Sequence, residues 1–283
     1  MTNHTILTSL SLSILVFAAN AAAQRAPAAP SATQPASQLT LNLGGGGGGV
    51  SMTLVLIPAG SFMMGSPFDE KDRSDTEGPL HEVTISKPFY MGQTPVTQRQ
   101  WKAVMGINSW RPGQFARPGD DNPVNNITWV EAMQFCNRLS ARTGRRVRLP
   151  TEAQWEYACR AGTHSRFFYG DDPDASSLGD YAWYDQNSWN IGESYPHAAA
   201  QKKPNAWGLY DMHGNVEQWC LDWIGPYPAH AVTDPTGPAA GTMRILRGGS
   251  FVVPSKYLRD AWRNRNLPGR RILDNGCRVV VGP

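Results

Sequence analysis

Gly248-Gly249-Ser250 places a serine hydroxyl behind two flexible residues, a local setting in which a nucleophile can be presented to a substrate. The stretch lacks the residue order of a nucleophile elbow, and spacing indicates no His or Asp partner. It reads instead as a buried turn with a hydrogen-bonded hydroxyl. The six histidines are scattered, with no His-x-His or His-Glu-x-x-His pair to hold a metal on one face. The four cysteines, Cys136, Cys159, Cys220 and Cys277, match no zinc spacing. Six glycines in a row at 44–49 are not followed by Lys-Ser/Thr, which argues against a phosphate loop. Around Gly214-Asn215, Asp211 suits a tight turn whose amides it caps. An EF-hand is excluded there, because Gly214 falls too early and no Glu closes the loop. Arg263-Asn264-Arg265 and Arg270-Arg271 either line a cleft or brace the carbonyls of irregular strands, and arginine's planar fork suits both tasks.

The elements that must position these residues are short. Leu54-Val55-Leu56-Ile57, closed by Pro58-Ala59-Gly60, reads as a buried strand and turn. His81-Glu82-Val83-Thr84-Ile85 alternates as a second strand, continued by Phe89-Tyr90-Met91 after a Lys87-Pro88 break. Ile245-Leu246-Arg247 and Arg278-Val279-Val280-Val281 read as later strands around a long irregular loop. Three capping boxes start helices: Thr97 with Gln100, Thr128 with Glu131, and Thr151 with Gln154. Trp129, Ala132, Met133, Cys136 and Leu139 recur at helical spacing in the second helix, and Trp155 and Cys159 share a face in the third. The whole reads as one α+β domain, turn-rich and without a repeat period.

Composition supports that reading. The chain is 41% hydrophobic and 10% aromatic, with 28 Gly and 22 Pro, enough to fill a core while leaving many loops. The formal charge of +3 is spread along the chain with both signs interspersed, which argues against a nucleic-acid partner. Residues 6–23 form an apolar run ending in Ala21-Ala22-Ala23, so 1–23 is read as a cleavable export signal, despite the lack of an early Lys or Arg. No later segment is long and apolar enough to cross a bilayer. Residues 24–51, rich in Ala, Pro and Gly, are expected to be a disordered tether, and 52–283 the folded domain. The protein is expected in the periplasm or outside the cell, where at least one disulfide, involving Cys220 or Cys277, is anticipated.

Several blocks in fixed order carry a resemblance. They are Ile57-Pro58-Ala59-Gly60-Ser61-Phe62-Met63-Met64-Gly65, Pro123-Val124-Asn125-Asn126-Ile127-Thr128-Trp129, and Arg148-Leu149-Pro150-Thr151-Glu152-Ala153-Gln154-Trp155-Glu156-Tyr157. Gly208-Leu209-Tyr210-Asp211-Met212-His213-Gly214-Asn215-Val216, Arg247-Gly248-Gly249-Ser250-Phe251 and Asn275-Gly276-Cys277-Arg278 follow. Together these resemble the formylglycine-generating enzyme, or sulfatase-modifying factor, family. The resemblance implies an irregular fold similar to an elaborated C-type-lectin module.

In the family's enzymes the loop after Gly-Gly-Ser carries two cysteines that bind copper and convert a substrate cysteine to formylglycine. The matching loop here, Ser250-Phe251-Val252-Val253-Pro254-Ser255-Lys256-Tyr257-Leu258-Arg259-Asp260, has no sulfur, so a copper site is not expected. The resemblance also implies calcium at two turns. One comprises Asp211, Gly214, Val216 and Gln218, with Gln218 where relatives carry Glu, and the other Asp185, Asn187 and Ile191. The family's groove would correspond to Ser250, Tyr257, Arg259, Trp262 and Arg263. Two functions are consistent with these residues. The first is an exported binding module for a peptide, protein or glycan, built on the family scaffold without its copper centre. The second is an oxidoreductase of the formylglycine-generating type, or a divergent family enzyme, acting on a secreted substrate.

Overall fold

The computed structural model describes residues 1, 38–44, 49–106, 110 and 115–282. The expected leader and most of the expected tether lie outside these residues.

The chain begins with strands β1 (Gln38–Asn42), β2 (Ser51–Ile57), β3 (Gly60–Met64), β4 (His81–Ile85) and β5 (Phe89–Gly92). Helices α1 (Gln98–Met105) and α2 (Trp129–Thr143), strand β6 (Val147–Arg148) and helix α3 (Glu152–Arg160) come next. After a long stretch of turns come β7 (Glu217–Trp223), β8 (Val232–Thr233), β9 (Arg244–Arg247), β10 (Asn264–Asn266), β11 (Asn275–Cys277) and β12 (Val280–Val281). They form a five-stranded sheet ordered β1-β2-β5-β12-β6, a four-stranded sheet β10-β9-β7-β11, and a three-stranded sheet β3-β4-β8. The result is the expected mixture of few helices and short, mixed strands.

All three capping boxes form. Thr97, Thr128 and Thr151 accept from the main-chain N–H of Gln100, Glu131 and Gln154 at 3.3, 3.1 and 3.1 Å. Each of those side chains returns a bond to the cap's own N–H. Two donors that the first turn leaves open are thereby satisfied at each helix start. The caps aim the helices at the sheets. Trp101 of α1 stacks on Phe135 of α2 with ring centres 5.2 Å apart, both fully buried. Burial of side chains this size contributes about 2–3 kcal/mol each.

Two expectations are corrected. The tether does not reach residue 51, because Gln38–Asn42 is a strand that pairs antiparallel with β2, Gln38 opposite Val55. Its apolar residues explain this: Leu41 and Leu43 are buried in the core, which offsets the entropy lost on ordering the segment. The anticipated disulfide does not form either, since all four cysteines are free and buried. For a bridge between Cys220 and Cys277, strand geometry gives the reason. β11 runs parallel to β7 with Cys277 opposite Trp219, so Cys220, one residue further, projects from the other face of the sheet. Cys277 and Cys220 accordingly lie in different core clusters.

Candidate functional site

The loop at 250–260 leaves β9 and is wired into the protein at both ends. Ser250 Oγ donates to Asp274 Oδ2 at 2.5 Å, and both residues are buried. Asp274 lies just before β11, where its main-chain oxygen accepts from Glu217 N at 2.9 Å. The parallel β7–β11 pairing therefore sets two carboxyls side by side in a dry environment. Burial pushes both up from their ordinary range, and the charge of Asp274 pushes Glu217 up further. Asn264 Nδ2 opposes this for Glu217, donating to its two oxygens at 3.0 and 2.8 Å. Two like charges this deeply desolvated do not both ionise readily, so the pair retains a proton that exposed carboxyls lose. Asp274 Oδ1 and both polar atoms of the Asn275 side chain are buried without a partner beside it. Phe251, next to Ser250, meets Trp189 at 6.4 Å, and Trp189 meets Phe115 at 5.1 Å, forming an aromatic run over this corner.

At the other end of the loop the arginines turn inward. Arg259 donates to Glu77 Oε1 and Oε2 at 2.6 and 2.7 Å and to Glu70 at 2.6 Å. Arg263 grips both oxygens of Glu152 at 2.7 and 2.8 Å. Arg247 bonds Glu156 and the main-chain oxygens of Ala261 and Asp260. Arg160 joins Glu156 to the main chain of Gly65. Glu152 and Glu77 are held below the usual carboxylate range against the opposing effect of burial, through their guanidinium partners. A network of this kind does not earn its place by raw stability, because desolvating each charge offsets most of the attraction. It fixes irregular backbone that lacks sheet partners.

Of the five groove residues read from the sequence, Ser250, Arg259 and Arg263 are therefore interior, at 0%, 0% and 3% exposure. Tyr257 and Trp262 remain half-buried at the surface, with ring centres 4.7 Å apart, and Lys256 lies over Tyr257. Glu217, Asp274 and Asn264 were not singled out as a site by sequence. No spacing announces them, because register between strands brings them together.

In the turn at 211–218 the side-chain oxygens expected to hold calcium already accept hydrogen bonds within the protein. Gln218 Oε1 already accepts from Trp155 Nε1 and Arg278 Nε, each at 2.9 Å. Its Nε2 donates to Asp211 O at 2.8 Å. The Asp211 carboxylate is spent on Ala200 N and Asn215 Nδ2 at 2.9 and 3.1 Å. Arg278 lies beside the turn, donating also to Gly92 O, Tyr210 O and Asp211 O, and burial lowers it to about 10. Gly214 and Val216 are buried in the same turn, and the N–H of Gly214 is bonded to Gly248 O. At the second turn, Asn187 uses both side-chain atoms on Tyr184 N and Ala182 O, and the Ile191 side chain is 63% exposed. Asp185 Oδ1 there is buried without a hydrogen-bond partner.

Capped short helices, three small sheets and loops braced by buried arginines define an irregular α+β scaffold of the C-type-lectin-like kind. Residues 50–282 match the family described as the sulfatase-modifying factor enzyme 1-like domain, and the chain belongs to that family. It is 29% identical over 284 residues to the formylglycine-generating enzyme of Streptomyces coelicolor, covering 76% of this chain and 84% of that one. Among solved structures it is similar to Treponema denticola variable protein 1, with 30% identity, a TM-score of 0.74, and coverage of 87% of this chain and 99% of that one. It is also similar to PvdO from Pseudomonas aeruginosa, with 29% identity, a TM-score of 0.72, and coverage of 82% and 94%. No helix among the described residues is long and apolar enough to cross a membrane.

Proposed function

We propose that this chain is an exported binding member of the family, working in the periplasm or outside the cell without a copper-thiolate centre, and recognising a peptide, protein or glycan. The observation that carries this reading is the state of the loop at 250–260. It contains no cysteine, its Ser250 hydroxyl is committed to Asp274, and its Arg259 is committed to Glu77 and Glu70. The four thiols lie elsewhere, buried and protonated, since burial pushes Cys136 up to about 12 and the other three well above their ordinary value. Copper(I) needs thiolates that can be released and reached. What the loop presents outward is an aromatic pair, Tyr257 and Trp262, with Lys256 beside it. Aromatic anchors with a polar handle suit peptide and sugar surfaces alike. Export rests on the apolar run at 6–23.

Two measurements test this. Purified protein incubated with copper and a cysteine-bearing sulfatase peptide is expected to give no aldehyde by mass spectrometry, and clear aldehyde formation overturns the reading in favour of an oxidase. Immobilised peptide and glycan libraries are expected to show binding that Tyr257→Ala with Trp262→Ala reduces at least tenfold. Capture that ignores both rings removes the assignment of the surface.

A further inference from the structure

Away from the loop's carboxyl pair, three metal-ligand side chains from distant parts of the chain meet in the core. Cys159 is in the last turn of α3, His213 precedes β7, and Asp260 closes the loop after β9. Cys159 Sγ lies 3.2 Å from Asp260 Oδ1, and His213 Nε2 lies 3.2 Å from the same oxygen. The ligand atoms of all three fall within 4.8 Å of one another, and none of the three residues has any exposed surface.

The main-chain N–H of Phe168 points at His213 Nε2 at 3.4 Å, a contact in which Nε2 accepts through its lone pair. With Nε2 unprotonated, a lone pair facing a carboxylate oxygen at 3.2 Å is repulsive unless a proton or a cation lies between them. The one thiol proton already points at that oxygen. Sulfur, oxygen and nitrogen lone pairs thus converge where an unpaired buried charge is most costly. The imidazole is also held rigid, stacked on Phe168 at 4.5 Å and met edge-on by Phe167 at 5.6 Å. The second oxygen of Asp260 makes no hydrogen bond and lies 3.6 Å from Arg160 Nη1, an outer partner that orients the carboxylate.

We propose that Cys159, His213 and Asp260 form a zinc site, separate from the copper loop and calcium turns that the resemblance implies. A tetrahedral Zn²⁺ with bonds of about 2.3 Å to sulfur and about 2.0 Å to nitrogen and oxygen spaces its ligands about 3.3–3.5 Å apart. The two observed separations, 3.2 Å each, are about 0.1–0.3 Å shorter than that, and the third pair of ligand atoms lies within 4.8 Å. Binding replaces the thiol proton by the metal, and thiolate plus carboxylate then balance the charge of the ion while the imidazole stays neutral. One tetrahedral position remains for a non-protein ligand. Because the site is fully enclosed, the ion is taken up as the chain folds and joins α3, the turn before β7 and the loop after β9.

The test uses the full chain without an affinity tag, unfolded with chelator and refolded with Zn²⁺ or Co²⁺ in excess. One zinc per chain is expected after gel filtration. The cobalt form is expected to show a thiolate charge-transfer band in the near ultraviolet, and Cys159→Ser is expected to abolish it. X-ray absorption of the zinc form is expected to show one sulfur and otherwise nitrogen or oxygen neighbours, and this readout does not depend on any variant folding. A refolded chain with native circular dichroism that retains no metal overturns the proposal. So does a zinc shell without sulfur, or unchanged metal content in Cys159→Ser.

Discussion

Ser250 Oγ and Asp274 Oδ2 lie 2.5 Å apart inside the protein, and this hydroxyl is the side-chain donor to a carboxyl that already shares its surroundings with Glu217. Replacing Ser250 by Ala removes a donor to a buried acceptor, which costs about 1–3 kcal/mol. The loss is expected to grow as pH rises, because the hydroxyl favours the ionised carboxylate. Urea denaturation at several pH values measures it, and a pH-independent change below about 0.5 kcal/mol contradicts the assignment.

Arg259 closes the loop by a two-pronged contact with Glu77 and a third bond to Glu70. Arg259→Ala leaves these buried carboxylates unpaired and is expected to destabilise by about 3–5 kcal/mol. Arg259→Lys keeps the charge but not the planar fork, so most of the loss should persist. Chemical denaturation of the two variants checks this, and a lysine variant as stable as the native protein counts against a geometric role.

Asp222 is buried, and loss of water followed by the nearby Glu152 charge pushes it up to about 7. A carboxyl whose folded pKa is raised binds more protons in the folded state, so its contribution is fully present below its ordinary value near 3.8 and is lost as pH climbs towards about 7. Asp222→Asn mimics the protonated form and keeps an acceptor for Glu152 N, which the native residue meets at 2.9 Å. The variant is expected to match the native protein at pH about 4 and to exceed it at pH about 8 by on the order of 1–4 kcal/mol. Stability curves that run parallel across that window disprove the shift.

The four thiols are free and enclosed, with burial as the first cause of their raised values. A thiol reagent is expected to modify none of them in the native protein, and all four in guanidinium with chelator. Reducing agent should leave the melting temperature unchanged. Fewer than four reactive thiols after unfolding, or melting sensitive to reductant, would reveal a bridge.

The capping boxes, the strands at 54–57, 81–85 and 245–247, and the family blocks were legible because each depends on neighbours a few residues apart. The first strand escaped notice because its Leu39-x-Leu41 alternation sits between a low-complexity run and six glycines. β7 escaped because its first four residues are all buried and show no period-two pattern. Buried strands of that kind resemble turns and core segments when met in sequence alone.

By itself the sequence determined the family, the α+β class and the absence of sulfur from the loop at 250–260. These are properties of residue identity and of short-range spacing. Only the tertiary structure decided that Arg278 lies beside the turn at Asp211, that Cys220 and Cys277 face apart, and that Glu217 lies beside Asp274. Each of these follows from strand register and from which face of a strand a side chain occupies. A shift of one residue reverses that face, and no local pattern in the chain records it.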